Sequence, residues 1–432
     1  MLKGATVEKE YAVVIIGGRV AGASLAIRLG QQNVKVLLID RATFPSWPSV
    51  PSSPLVHPGT LRLLDELGFS EDEYTYPEGK ITHLILDMMG KYQAIMPTEL
   101  LQLDRNYAYG IDRNKFDTVV WQRAASLPSV TACENVAMTD VVKDATGRVI
   151  GIVGKSAHGT EEAFSAELVV GADGRFSLAA HKFGAKPFEE LNDYPGASYH
   201  AEWEGVADYS DTYSHPMVIY QLGNGYSLLS IPISKNKYII ANSLRTDDTH
   251  VGRNMEEHYM HAIQSVPRLR EQLKNARRVT RIVGVRRIEN GYRQAYGDGW
   301  ALAGDAFHYE SPLDGQGIYN ALLASKFLAE AIQQWKSGKP WQQAGADYQQ
   351  RFYATSHTML KQTVKRVQQE LYTNPPPFVV NTMMRWILTD PGYQTQFLRY
   401  LSRAIDPNSF AFGPAPGPMV RGFLRDVLRV RR

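Results

Sequence analysis

The stretch Tyr11 to Asp40, YAVVIIGGRVAGASLAIRLGQQNVKVLLID, constrains this chain more than any other, because it reads as one complete strand, glycine turn, helix and strand. An apolar run from Ala12 to Ile16 enters Gly17-Gly18. A helix follows with apolar positions at Ala21, Leu25, Ile27 and Leu29, and a second apolar run, Val34 to Ile39, closes on Asp40. An acid at that distance from the glycines is placed to meet the ribose hydroxyls of a dinucleotide. The helix amino terminus then faces the pyrophosphate, where unpaired N–H groups and the helix dipole both favour negative charge.

In G-x-G-x-x-G register the three positions are Gly17, Arg19 and Gly22. Arg19 therefore stands where a missing side chain normally lets phosphate approach the backbone, and it serves a pyrophosphate only if its guanidinium lies along the phosphate oxygens.

A chain of 432 residues buries a large core and divides into two or three structural units. A formal net charge of +3 without a basic, aromatic-interleaved stripe argues against nucleic-acid binding. The single cysteine, Cys133, excludes a disulfide framework, CxxC redox pairs and cysteine-ligated zinc, and no metal site is expected. The amino-terminal MLKGATVEKE carries both charge signs and reads as no secretory signal, and no apolar stretch is long enough to cross a bilayer. The expected location is cytoplasmic, at most peripheral to a membrane.

After Asp40 and Arg41 a Pro- and Ser-rich loop runs to His57, which as a lone loop histidine reads as a capping or solvent-facing residue. Residues 81–97 read as two strands joined at Gly90, and Arg113 lies at the start of a helix with a Phe116, Val119, Val120, Ala124 stripe. A second glycine motif, Gly171-Ala172-Asp173-Gly174, ends another strand, with Asp173 placed as a helix cap. Residues 196–243 are strand-rich with a turn at Gly223-Asn224-Gly225, and 253–275 read as helix. The strand Trp300 to Ala303 then delivers Gly304-Asp305, a Pro312 turn, and Gly315-Gln316-Gly317-Ile318 opening a helix. Three strand-to-turn sites in one chain point to one elongated cofactor.

These three motifs, in this order and spacing, resemble the FAD-dependent aromatic hydroxylases typified by para-hydroxybenzoate hydroxylase, with geranylgeranyl reductases and flavin-dependent halogenases as relatives. The resemblance spans roughly residues 11 to 335, and GGRVAGAS, DRATFP and GADGRFSLAA are similar to a bacterial subgroup of FAD-dependent oxidoreductases in which arginine replaces the second glycine. It implies an α/β fold: a Rossmann-like FAD-binding domain (1–80, 105–190 and 279–335), an inserted mixed β-sheet substrate domain (81–104 and 191–278), and a C-terminal helical region (336–432).

The resemblance assigns FAD to Gly17, Gly18, Arg19, Gly22, Asp40, Arg41, Arg113, Asp173, Gly304, Asp305, Pro312, Gly315, Gln316, Gly317 and Ile318. It implies hydroxylation of an aromatic or lipophilic small molecule by O₂ through a flavin C4a-hydroperoxide, with NAD(P)H as transient reductant. Ala180 replaces the family's arginine beyond the Asp-Gly motif, which leaves the electron donor open. No Trp-x-Trp-x-Ile signature is present, which argues against a halogenase. Alkene reduction and ligand sequestration without turnover are the alternatives. His200, Tyr220 and Tyr226 are expected to line the substrate cavity, and His308 is the candidate catalytic side chain. The tail PMVRGFLRDVLRVRR sets Met419, Val420, Phe423, Leu424, Val427 and Leu428 on one helical face and arginines on the other. It is expected to dock on the protein's own body, with a peripheral membrane contact as the alternative.

Overall fold

The computed structural model describes residues 10–88, 90–221, 225–246, 254–410 and 416–430. Residues 1–9, the turn residues Gly223 and Asn224, the loop before Pro416, and Arg431 and Arg432 lie outside the described residues.

The strand Tyr11–Ile16 is central to a mostly parallel sheet. It pairs with Val36–Ile39 on one side and Glu161–Gly171 on the other. Val130–Cys133 extends the sheet beyond Val36–Ile39, and Trp300–Leu302 extends it beyond Glu161–Gly171. All four residues of Val36–Ile39 are buried, as a parallel strand covered on both faces requires. Val20–Gly30 and Gly317–Lys336 pack against each other on one face, where Gly304 approaches Ala21 so closely that a Cβ on Gly304 would sit 2.7 Å from the Ala21 methyl. A meander of Val136–Lys143 and Val149–Ser156 runs into Glu161–Gly171, so that strand begins earlier than its apolar end, Glu167 to Val170, suggests.

The second large sheet has the order Arg277–Arg278, Gly196–Glu204, Lys237–Arg245, Tyr226–Ser234, Met217–Gln221, His83–Met88, Tyr92–Pro97. Its one parallel junction, Met217–Gln221 beside His83–Met88, joins the two separate chain segments expected to form it. Val283–Ile288 also pairs with Gly196–Glu204, so the sheet runs past the expected boundary at 278. Residues 279–288 read as strand in the sequence, but periodicity does not tell which sheet a strand joins. One face is covered by Met255–Gln264 and Pro267–Gln272, two helices rather than the single one expected, because Pro267 has no N–H to continue the first.

The C-terminal region is helical as expected, with π-helical turns at Gln368–Tyr372 and Met383–Ile387. It is part of the body: Phe352 packs on Phe307 at 5.2 Å, and Met359, Phe397 and Leu398 share a core with Ile219, Ile231 and Ile239 of the second sheet. The last helix, Pro416–Val430, also docks on the body, through its polar side and an edge-on contact of Phe423 with the Trp386 ring at 5.7 Å. Arg421 pairs with Asp390 at 2.9 Å, Arg425 donates to the Thr389 carbonyl, Asp426 accepts from Trp386 Nε1, and Gly422 lies against Trp386. Its apolar face points outward, with Phe423 51% and Leu428 64% exposed.

Candidate functional site

Backbone geometry explains why the first turn needs glycine. Gly17 has φ +101°, and a Cβ there would lie 2.5 Å from the Ala172 carbonyl oxygen; one on Gly22 would lie 1.8 Å from the Gly17 carbonyl oxygen. The helix Val20–Gly30 has no side-chain cap, so its first N–H groups remain available to an anion. Asp40 shapes this turn with both oxygens, accepting from Gly18 N and Ala42 N at 2.7 Å each. Each carboxylate oxygen keeps a further lone pair for a ribose hydroxyl. Arg41 is exposed and reaches Ser49 Oγ at 3.3 Å.

The other two turns converge beside it. Asp173 accepts from Ser177 Oγ and Ala179 N, while Ser177 itself caps the helix Leu178–Phe183. Arg175 donates to the Glu310 carbonyl and stands 3.8 Å from Asp305, whose carboxyl is pushed up by burial against the attraction of Arg175. Pro312–Asp314 is a single 3-10 turn, Gly315 adopts φ +67°, and the helix Gly317–Lys336 likewise begins without a side-chain cap. A Cβ on Gly317 would meet nothing within 4 Å, so the backbone there faces open space. Asp40, the first uncapped helix start, Asp305 and the second uncapped helix start offer the acceptors and N–H donors that the ribose, pyrophosphate, ribityl chain and ring of an extended flavin dinucleotide call for. Gln316 faces the other way: its amide donates to the Asp314 and Leu401 carbonyls and its oxygen accepts from Arg403 Nε at 2.7 Å. Ile318 is buried.

Two cavities lie between this groove and the second sheet. The outer one, about 480 Å³, is bounded by the loop at Pro45–Pro48 and by Arg113, Glu202 and Arg281. The inner one, about 30 Å³, lies between Pro312-Leu313 and the sheet. Ser52, His200 and Ile239 line both.

Strand register builds the inner surface. Ser198, Ser243 and Ser227 stand opposite one another on three strands, and two residues along, on the same face, stand His200, Ala241, Leu229 and Ile219. A row of hydroxyls thus borders a row of mostly apolar side chains. Burial, with Arg113 adding to it, pushes the His200 imidazole down to about 4, so this ring is neutral at ordinary pH.

His200 lines both cavities; Tyr220, Tyr226 and His308 are not among the residues that line either one. Tyr220 is 1% exposed on the opposite face, where its hydroxyl donates to Gln272 Oε1 at 2.7 Å, and Tyr226 packs on the same far side. Alternation puts Ile219 and Ser227 toward the cavity in their place. His308 is 2% exposed, stacked on Tyr292 at 4.4 Å and 3.5 Å from Glu310, which makes it a core residue under the Pro312 turn. Arg113 borders the outer cavity and is bound to Asp117, a fully buried carboxylate that also holds Arg19. Sequence reading missed Asp117, Glu202, Trp47 and the serine row; the Arg113/Asp117 spacing of four along a helix was the one available signal. Among the described residues no histidine, cysteine and carboxylate cluster is suited to a metal.

Comparison with known proteins agrees with this geometry. Residues 10–362 match the FAD binding domain family. The chain is 23% identical over 427 residues to a 1H-pyrrole-2-carbonyl-[peptidyl-carrier protein] chlorinase of Pseudomonas fluorescens, covering 91% of this chain and 89% of that one. Among solved structures, the flavin-dependent brominase Bmp2 superposes with a TM-score of 0.75 at 19% identity, covering 97% of this chain and 99% of that one. The p-nitrophenol 4-monooxygenase PnpA of Pseudomonas putida superposes with a TM-score of 0.74 at 18% identity, covering 91% and 97%. The groove, the turns and the family match lead to one identification: this chain belongs to the FAD binding domain family, as an FAD-dependent oxidoreductase of the aromatic hydroxylase and halogenase superfamily.

Proposed function

We propose that this protein is a single-component monooxygenase that hydroxylates an aromatic or lipophilic small molecule, with NAD(P)H as electron donor. The observation that carries this reading is the inner surface opposite the Pro312 turn, where Ile219, Leu229, Ile239 and Ala241 form an apolar floor edged by serine hydroxyls. Bound FAD supplies the redox chemistry, taking two electrons from the donor and activating O₂. One oxygen atom enters the substrate and the other leaves as water.

The side chains named here position and exclude. The apolar floor keeps water from the reacting face. The uncapped N–H groups at Gly317 and Ile318 would stabilise negative charge on bound flavin. His200, neutral, offers one donor and one acceptor to a substrate hydroxyl. The test is anaerobic reduction with NADH or NADPH, followed by O₂ and a panel of phenols and quinone precursors. Oxygenated product matched to donor oxidation supports the reading; product formed without O₂ indicates alkene reduction, and none under any donor refutes monooxygenation.

Halogenation is the second reading, favoured by the chlorinase match over 91% of the chain despite the missing Trp-x-Trp-x-Ile signature. It requires product that depends on chloride or bromide. A peripheral membrane contact through Pro416–Val430 accompanies a lipophilic substrate: the outward apolar face suits a bilayer surface, while Arg421 and Arg425 stay on the body. Co-sedimentation with anionic vesicles, lost on removal of residues 416–432, tests it. Among the described residues no helix is long and apolar enough to cross a membrane.

A further inference from the structure

Arg19 replaces the glycine that lets phosphate approach the backbone, yet its guanidinium turns away from the helix start. Nη1 donates to the Ser46 carbonyl at 3.1 Å and pairs with Asp117, while Nη2 donates to Ser46 Oγ at 2.9 Å and the Trp47 carbonyl at 2.8 Å. All four Nη hydrogens are thereby committed. The same carboxylate holds Arg113, whose Nε and Nη2 reach Asp117 Oδ1 at 3.1 and 2.9 Å, and Arg113 Nη1 donates to Ser52 Oγ. One buried carboxylate thus fixes two arginines, and they hold the loop at its two ends: Ser46-Trp47 and Ser52.

This loop lines both cavities, and its Trp47 end is also tied to the substrate sheet. Trp47 Nε1 donates to Glu202 at 2.9 Å, Glu202 pairs with Lys237 at 2.7 Å, and Lys237 reaches Asp112, the residue that caps the helix carrying Arg113 and Asp117. The polar chain closes on itself around the outer cavity.

We infer that Arg19 is not a phosphate ligand but a positioning residue, oriented by Asp117, that clamps the loop Pro45–Ser52 as the wall of the substrate cavities. The inference rests on the FAD-binding reading for the meaning of the groove, while the clamp itself is present without the cofactor. Phosphate is then met by the backbone N–H groups of the first helical turn, and the extra cation of this motif acts on the substrate side. Losing either partner frees the same loop, so the two losses overlap rather than add.

The test compares Arg19→Gly, Asp117→Asn and the double variant in three measurements. Hydrogen exchange of the segment 44–54 is read on apoprotein, FAD affinity by titration, and the access of iodide to bound flavin by fluorescence quenching. The expected result is loop exchange about tenfold faster in either single variant, since each removes charge-assisted bonds, with no further gain in the double variant. In Arg19→Gly, FAD affinity should stay within about threefold of the parent, because the phosphate contacts are backbone ones, while iodide quenching rises. An Arg19→Gly protein that binds FAD more than about tenfold weaker with unchanged loop exchange makes Arg19 a phosphate ligand and overturns the inference, as do additive loop effects. If Asp117→Asn does not fold, Arg19→Gly and Ser46→Ala read the same clamp. If the parent protein binds no FAD, the cofactor reading fails while apoprotein exchange still reports on the loop.

Discussion

Gly317→Ala separates stability from cofactor binding, because the two should move in opposite directions. Gly317 is the first residue of the helix Gly317–Lys336, has no positive φ, and a Cβ on it meets no atom within 4 Å. The folded apoprotein accommodates the methyl without strain. Removing glycine's freedom from the unfolded chain then stabilises by about 0.4–1 kcal/mol. The same methyl enters the open space where the flavin ring is expected to lie against the helix start. Overpacking a formed contact costs about 1–3 kcal/mol, or about 5- to 150-fold in FAD affinity. Urea denaturation of apoprotein should show a higher midpoint at unchanged slope, and FAD titration a weaker complex. Weaker binding with a destabilised apoprotein would mean the residue is packed rather than exposed to the groove. Unchanged FAD affinity would place the ring elsewhere.

Gly22→Ala should behave oppositely, lowering apoprotein stability by about 1–3 kcal/mol as well as FAD binding, because its Cβ would lie 1.8 Å from the Gly17 oxygen. Urea titration checks this. His200→Ala should alter substrate affinity and product distribution, whereas Tyr220→Phe should leave both unchanged and cost about 1 kcal/mol of stability through the lost Gln272 bond; steady-state kinetics beside denaturation separates the two. His57 is 2% exposed and pushed down to about 3 by burial, with Arg403 and Arg62 adding to it. The unfolded chain takes up that proton near pH 6.5, so the group lowers stability increasingly as pH falls below 6.5, by about 2 kcal/mol at pH 5. His57→Gln should flatten the acid limb of the stability profile; an identical limb in both proteins would contradict the buried neutral imidazole.

The groove was legible in the sequence because its turns make demands that few residues meet. Gly17, Gly304 and Gly315 have positive φ, and Gly22 and Gly304 permit close approach, so these glycines mark the turns directly. The cavity was less legible. From Met217 to Tyr220 both faces of the strand are buried, so alternation did not show whether Ile219 or Tyr220 faces the site; that depends on the helices at 255–272 covering the far side. Asp117 resembles a helical ion-pair partner of Arg113 until the fold brings Arg19 to its other side. The last helix shows the same limit: its apolar stripe was plain, yet Asp390, Thr389 and Trp386 attract its polar edge and leave the stripe outside.

One FAD is expected to lie extended across the two uncapped helix starts, with its ring beneath the small-residue face of the second sheet. A crystal structure of the FAD-loaded protein tests this most directly. The pyrophosphate is expected at the N–H groups of Val20–Gly22, the ribityl chain at Asp305, and the ring against Gly315–Gly317 facing His200 and Ala241. A ring bound outside this groove, or a pyrophosphate held by Arg19 rather than by the helix backbone, would contradict it.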